Sequence, residues 1–373
     1  MSAELGFEQR EAGLLAAYAF PSVASVGREH AEPLHSYRGP FQRDRDRIVH
    51  SAAFRRLAHK TQVFTGNWGD YHRSRLTHTL EVASVARTLA RALRLNEDLV
   101  EALALLHDIG HPPFGHAGED TLNQCLKSHG GFNHNAHALR LVEVLEMRYP
   151  SFPGLNLSAE VLEGQRTRAV RGAVNSLRPL LEAQVVDAAD SVTYDTHDAD
   201  DALELGLLRL DELLAVPLWR EAAGRVRLRF AALDDQELRR AVLHELIDWQ
   251  VGDLVAESRR RLAAAGVQSF AAVRAAAPIA GPSVALAEPK AELERFLYRR
   301  VYRHPRVLRM RARAQASLRE MFDGFCRNPH RLPPRFQARL EAWGLERTVA
   351  DYLAGMTDRF ARRAYVKQFA GQD

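Results

Sequence analysis

An all-α fold follows from three features of this 373-residue chain. Alanine, leucine, arginine and glutamate dominate it, and these are strong helix formers. Apolar residues recur at helical spacing through most of its length. No alternating apolar and polar run extends beyond a few residues; RVRLRFAAL (225–233) is the best strand candidate. Apolar residues make up 46% and charged residues 26%, a globular balance that excludes disordered, collagenous and fibrous classes.

The elements follow in chain order. From Thr77, THTLEVASVARTLARALRL places Leu80, Val82, Ala83, Val85, Ala86, Leu89, Ala90 and Leu93 at helical spacing. Asn96 reads as the N-cap of EDLVEALALLHDIG, with Glu97 and Asp98 in the first turn, where the helix dipole favours acids. Gly110 and the pair Pro112–Pro113 end that helix. Further amphipathic helices are expected near 134–147, 182–203, 235–262, 289–301 and 305–325. Residues 272–283 (AVRAAAPIAGPS) read as a linker or surface loop. The expected organisation is one helical core over 1–210, completed by a helical region over 211–373.

The opening MSAELGFEQREAG carries charge where a secretory signal needs apolar residues. No run approaches the roughly 20 apolar residues of a membrane helix. Two cysteines, Cys125 and Cys326, are too few for a disulfide framework and lack zinc-type spacing. A soluble protein of the reducing cytoplasm, without a membrane partner, is the expectation. The net charge of +4 does not make a dedicated nucleic-acid binder, although the pI of about 9.2 allows a local basic patch.

Chemistry is concentrated in the histidines. LLHDIGHPPFGHAGE (105–119) ends an apolar helix with His107 and Asp108, then carries His111, His116 and Glu119 on a Gly/Pro-rich turn. Imidazole and carboxylate together suit one divalent ion of the Mn, Fe, Ni, Zn or Mg type. Adjacent helical residues point about 100° apart, so both could reach one ion only near a helix end, which Gly110 supplies. The bland alternative is a capped helix with surface histidines. His78 starts a helix, with Arg75 three residues before it; alone, such a histidine is more often a cap or core residue. In EAQVVDAADSVTYDTHDADD, the side chains Asp187, Asp190, Tyr194, His197, Asp198 and Asp201 share one arc of about 100°. That stripe is either a solvated acidic face or a buried one neutralised by a cation. His78, His107, Asp108 and one carboxylate of the stripe would form a site with positions open for water and phosphate oxygen.

At this point the chain resembles the HD-domain phosphohydrolases, and among them the deoxyguanosine triphosphate triphosphohydrolase-like proteins. The resemblance runs in the family's order from LLAAYAFPSVASVGREH through YRGPFQRDRDRIVHSAAFRRLAHKTQVF, YHRSRLTHTLEVA, LLHDIGHPPFGHAGE and FNHNAHALR to VVDAADSVTYDTHDADDAL, over roughly residues 14–205. It implies an HD-domain helical core with additional C-terminal helices and one divalent ion on His78, His107, Asp108 and Asp190. It implies water attack at the α-phosphorus of a deoxynucleoside triphosphate, releasing deoxynucleoside and inorganic triphosphate. His116 would act as general base or acid with Glu119 orienting it. Arg75 would contact phosphate, as would His134, while Gln62, Tyr194 and Asp198 would form a deoxyribose pocket. Asp198 would accept from the 3′-hydroxyl, and Tyr194 would stack where a 2′-hydroxyl clashes. Homo-oligomers, and activation by a second dNTP, are further implications. YRRVYRHPRV (298–307) is similar to a family segment near the triphosphate, but it fixes no place for Tyr302 or Arg303.

Two other functions stay open on the residues. One is a broader HD-type nucleotidase or phosphodiesterase, which has no need of a deoxyribose pocket. The other is a regulatory binding protein whose basic stretch Arg299–Arg313 docks single-stranded nucleic acid or a phosphate effector. The bland reading of that stretch is a solvated face whose arginine stems cover apolar surface. Arg43, Arg45 and Arg47 read as a self-paired surface network with Asp44 and Asp46.

Overall fold

A computed structural model of the chain describes residues 6–62, 73–170 and 178–369. Val63, Phe64, Tyr71 and His72 of the blocks quoted above, and the first five residues, lie outside them. Among the described residues the chain is helical, with isolated bridges such as Thr61–Ser74 in place of strands.

α1 (Phe7–Leu14) and α2 (Pro40–Val49) come first. Pro40 occupies the first turn of α2, where its missing N–H removes no helical bond. The arginines of α2 tie separate segments together. Arg47 meets Glu32 at 2.6 Å, Arg45 reaches Glu101 at 3.3 Å, and Asp44 is fully buried on Arg28 and Ser158. The expected self-paired network holds only for Arg45 with Asp46, at 3.0 Å; the rest is a partly buried cross-brace.

α3 (Arg75–Ala92) starts at Ser74, whose hydroxyl accepts from Thr77 N. α4 (Glu97–Leu106) starts at Asn96, whose side chain accepts from Leu99 N. α5 (Gly115–Cys125) and α6 (His134–Arg140) follow, the latter capped by Asn133. α7 (Ala159–Ala169) precedes α8 (Leu181–Glu204), which packs along α3 and α4. These helices enclose a core of Phe41, Ile48, Leu57, Val82, Leu89, Leu99, Leu106 and Val185. Full burial of each such side chain contributes roughly 1.5–3 kcal/mol.

α9 (Pro217–Arg229) and α10 (Asp235–Ala264) form a hairpin, the second opened by an Asp234–Glu237 capping box. The strand candidate at 225–233 is thus overturned: it is helical through Arg229. A strand would set Val226 and Leu228 on one face. Here Val226 is fully buried and Leu228 is 89% exposed, as a helix requires.

α11 (Val284–Leu297) begins five residues before the expected start, because Ser283 caps it and Pro289 is tolerated inside. A π-type turn, Tyr298–Tyr302, leads to α12 (Pro305–Arg327). α13 (Leu345–Ala354) and α14 (Asp358–Gln368) then pack on α12. Their apolar cluster includes Phe114, Leu122 and Phe132, so the C-terminal helices seat directly on the segment after the His-Asp pair. None of the helices described is long and apolar enough to cross a membrane.

Candidate active site and metal centre

α4 buries Leu99, Val100, Leu103 and Leu106 and so fixes where its last residue points. His107 still has helical dihedrals, and the chain then turns through Asp108. Gly110 is required by contact. A Cβ there would lie 2.0 Å from His134 O and 2.4 Å from Ala138 N, where α6 crosses.

The ligand atoms of His78, His107 and Asp108 lie within 4.8 Å of one another, and all three side chains are buried. Asp190, from α8, brings Oδ1 to 3.2 Å from His78 Nε2 and 3.8 Å from His107 Nε2. His107 Nδ1 is 2.6 Å from Ala104 O. A carbonyl only accepts, so Nδ1 carries the proton and Nε2 presents its lone pair. That Nε2 is buried with no hydrogen-bond partner. A buried acceptor left unpaired is unfavourable, and a divalent cation among two imidazoles and two carboxylates satisfies it. The residues present therefore fit such an ion.

Two guanidiniums brace the carboxylates. Arg75, 1% exposed, donates Nη1 to Asp108 Oδ2 at 2.8 Å and Nη2 to Gln62 O at 3.0 Å. Its Nε is buried without a partner. Arg168 donates to Asp190 Oδ2 at 2.7 Å and lies 3.0 Å from Asp187 Oδ1. Burial opposes ionisation of Asp108, but His111, Arg75 and His107 together hold it well below the usual carboxylate range. Burial is likewise outweighed at Asp190 by His107, the His78 hydrogen bond and Arg168. Sequence reasoning gave Arg168 no role. Nothing in its spacing separates it from Arg166, which pairs with Glu143 nearer the surface.

A second group lies across a cavity of about 330 Å³ that His78, Asp108 and Asp190 also line. Glu119 Oε1 accepts from both His134 N and His134 Nδ1, each at 2.8 Å. Its Oε2 is 3.3 Å from Nδ1 of the exposed His116. Despite desolvation, the hydrogen bonds from His116 and His134 hold the Glu119 carboxyl far below its ordinary value. His111 stacks on His134 at 3.8 Å, and its Nε2 is buried without a partner. It shares in two further candidate ligand groups, one with Asp108 and His134, the other with His116 and Glu119.

The acidic stripe of α8 is a partly buried face whose acids are largely ion-paired. Arg168 meets Asp187 and Asp190, Arg73 meets Asp201, and His197 approaches Glu81 at 3.1 Å. Tyr194 lines the cavity. Asp198 lies behind it, 1% exposed, accepting a 2.5 Å hydrogen bond from Tyr302. Burial raises the Asp198 carboxyl to about 7, against the lowering effect of that bond. The π-type turn is what aims Tyr302, a residue the sequence left unplaced. Gln62 also lines the cavity, and its Oε1 is buried without a partner. Eight of the eleven predicted site residues line this cavity; His107, Glu119 and Asp198 stand directly behind the lining.

Comparison with known proteins is consistent with this geometry. The HD domain model matches residues 75–195, and the phosphohydrolase-associated domain model matches residues 281–367. A deoxyguanosinetriphosphate triphosphohydrolase-like protein of Geobacter sulfurreducens is 43% identical over 379 residues, covering 99% of this chain and 98% of its own. One of Ralstonia nicotianae is 45% identical over 369 residues, covering 96% and 95%. One of Bordetella pertussis is 45% identical over 370 residues, covering 95% and 96%.

Proposed function

The chain belongs to the deoxyguanosinetriphosphate triphosphohydrolase-like family of HD-domain phosphohydrolases, and from that premise we propose that it hydrolyses deoxynucleoside triphosphates to deoxynucleoside and inorganic triphosphate. Water attacks the α-phosphorus and the 5′-oxygen leaves. The observation that carries the reading is the meeting, in one cavity, of the His78–His107–Asp108–Asp190 cluster with the His116–Glu119 pair.

A divalent ion on the four ligands supplies Lewis acidity to the phosphate and acidifies water. The chain's own residues do the rest. The Glu119 carboxylate accepts from His116 Nδ1–H, which leaves Nε2 free to take a proton from the attacking water or return one to the leaving 5′-oxygen. Glu119 also fixes His134, which lines the cavity and would contact phosphate through its other ring nitrogen. Arg75 and Arg168 hold Asp108 and Asp190 in place, and Arg75 keeps N–H donors that its two bonds do not use, Nε among them, for a phosphate oxygen. Gln62 Oε1 and the Tyr194–Asp198–Tyr302 group receive the deoxyribose.

The test is incubation of metal-loaded protein with each dNTP, singly and in mixtures, with products separated by ion exchange. Deoxynucleoside plus triphosphate, lost in His107→Ala, is the expected outcome. Pyrophosphate plus monophosphate overturns the stated bond cleavage. Faster turnover in mixtures reports a second dNTP acting as activator.

A further inference from the structure

We infer that Asp358, at the start of α14, is a positioning residue for the reaction proposed above, on which this inference rests: its one carboxylate holds together the two segments that build the catalytic cavity. Oδ1 accepts from Phe114 N at 2.9 Å. Oδ2 accepts from Thr61 N at 3.2 Å and Thr61 Oγ1 at 2.5 Å. Asp358 is 7% exposed and Thr61 6%, so these bonds form out of water. Charge-assisted bonds to backbone N–H groups are roughly twice as strong as neutral ones.

Both segments need an outside hold. Phe114 has left-handed dihedrals (φ 66°, ψ 19°), a conformation that a bulky residue keeps only when its surroundings over-determine it. It starts the helix whose first turns carry His116 and Glu119, and no side chain of its own caps that helix. Thr61 is followed by Gln62, whose carbonyl receives Arg75, the brace of Asp108. The two segments also touch: a Cβ on Gly115 would meet Arg75 Nη2 at 3.0 Å and Gln62 O at 3.3 Å. Movement of either segment therefore reaches the His116 side and the Asp108 side together.

Lys60 supplies a parallel tie. Its buried Nζ donates to His111 O and, at 3.0 Å, to Ala354 O at the end of α13. The C-terminal anchors, Asp358 and Ala354 O, fall in the part of the chain matched by the phosphohydrolase-associated domain. None of them lines the catalytic cavity. The C-terminal helices thus set the geometry of a site to which they contribute through backbone contacts.

The experiment uses the full, metal-loaded chain with Asp358→Asn, Asp358→Ala and Thr61→Val. Asp358→Asn keeps the shape but turns one acceptor into a donor facing an N–H. The expected result is a kcat lower by about tenfold or more with KM changed less than about threefold, since a small misplacement of reacting groups falls on the chemical step. Amide exchange over residues 111–116 should rise about tenfold while the melting transition stays cooperative. Thr61→Val, which removes one bond, should show the same pattern more weakly. A folded Asp358→Asn with wild-type kcat and wild-type exchange overturns the inference. Should both Asp358 variants fail to fold, Thr61→Val decides, and unchanged kcat and exchange there overturn it. If the wild-type protein hydrolyses no dNTP, the functional reading fails, while the exchange measurement still reports whether Asp358 holds the turn.

Discussion

Glu119→Gln isolates the proton-transfer pair from the rest of the site. The Oε1 position faces two donors, His134 N and Nδ1, both at 2.8 Å, so the glutamine oxygen must stay there. Its NH2 group then takes the place of Oε2, 3.3 Å from His116 Nδ1. Two donors would meet unless His116 moves its proton to Nε2, and that tautomer has no lone pair facing the water. General acid–base assistance contributes about 10²–10⁴-fold. His116 is exposed and can swing, so the lower end applies: a kcat loss of about 10²-fold, or ~2.7 kcal/mol of barrier. The bonds to His134 survive, and a half-solvated contact is worth only ~0.2–1 kcal/mol, so the melting temperature should hardly move. Steady-state turnover by product chromatography, with metal content and thermal melting on the same samples, is the assay. A metal-loaded, folded Glu119→Gln that retains kcat within about twofold of wild type refutes the role of His116 as the proton carrier.

Three other outcomes are expected. His107→Ala should lose its divalent ion by elemental analysis, with affinity down at least about 10²-fold, because it removes one of four ligands; a variant that still binds one ion per chain points to a different ligand set. Gly110→Ala must push a methyl into His134 O and Ala138 N, so it should destabilise the protein by ~1–3 kcal/mol or more; an unshifted thermal melt contradicts the close approach of the Gly110 turn to α6. Burial lifts the Asp198 carboxyl to about 7, above its unfolded value near ~3.9. The native state therefore binds that proton more tightly, and wild-type stability falls as pH rises from about 4 through 7, by up to ~4 kcal/mol. Asp198→Asn has no such loss, so its melting temperature relative to wild type should rise between pH 5 and 8; a gap that stays flat shows that the carboxyl ionises normally.

Most of the helices, and the His107–Asp108 half of the candidate metal site, were legible because local signals agreed, whereas Asp190 came from the family resemblance. Asn96 caps the helix it is read to begin, and apolar spacing marked the buried faces; the Ser74 and Asp234 caps emerged only in the structure. His107, Asp108 and the Gly110 stop lie within four residues, so their convergence needed no tertiary knowledge. At 225–233 two periods compete. Arg225, Arg227 and Arg229 alternate with Val226 and Leu228 as a strand would, and only packing separates the cases. Arg225 over the Trp249 ring at 3.9 Å and Arg229 on Glu245 show the helix laid against α10. Asp358 and Lys60 were illegible for a different reason. Their partners are backbone atoms of residues such as Phe114, His111 and Ala354, and main-chain groups leave no pattern in side-chain identity.

The charges around the cluster bear on how the proposed phosphate substrate and a divalent ion would share this cavity. Asp108, Asp187 and Asp190 bring three negative charges to one end, and Arg75 and Arg168 bring two positive ones. His107 is kept neutral, since burial lowers its pKa. With His78 also neutral, these side chains carry a net negative charge of about one, which repels a polyanion; against burial, the Asp190 hydrogen bond and Asp108 raise the His78 pKa, and its protonation would cancel that charge. A divalent ion makes the sum positive in either case. The guanidiniums are spent on carboxylate oxygens that point away from the histidines, Asp108 Oδ2 and Asp190 Oδ2. Asp190 Oδ1 and Asp108 Oδ1 lie 3.8 and 3.6 Å from His107 Nε2, and each is nearer another histidine, Asp190 Oδ1 3.2 Å from His78 Nε2 and Asp108 Oδ1 3.0 Å from His111 Nδ1. Each arginine thus neutralises one side of a carboxylate and leaves the other aimed at the ion. The braces both lower the repulsion between the acids and select which oxygens bind. Without Arg168 and Arg75 the three acids would carry a net charge of about minus three and would repel the proposed phosphate substrate more strongly.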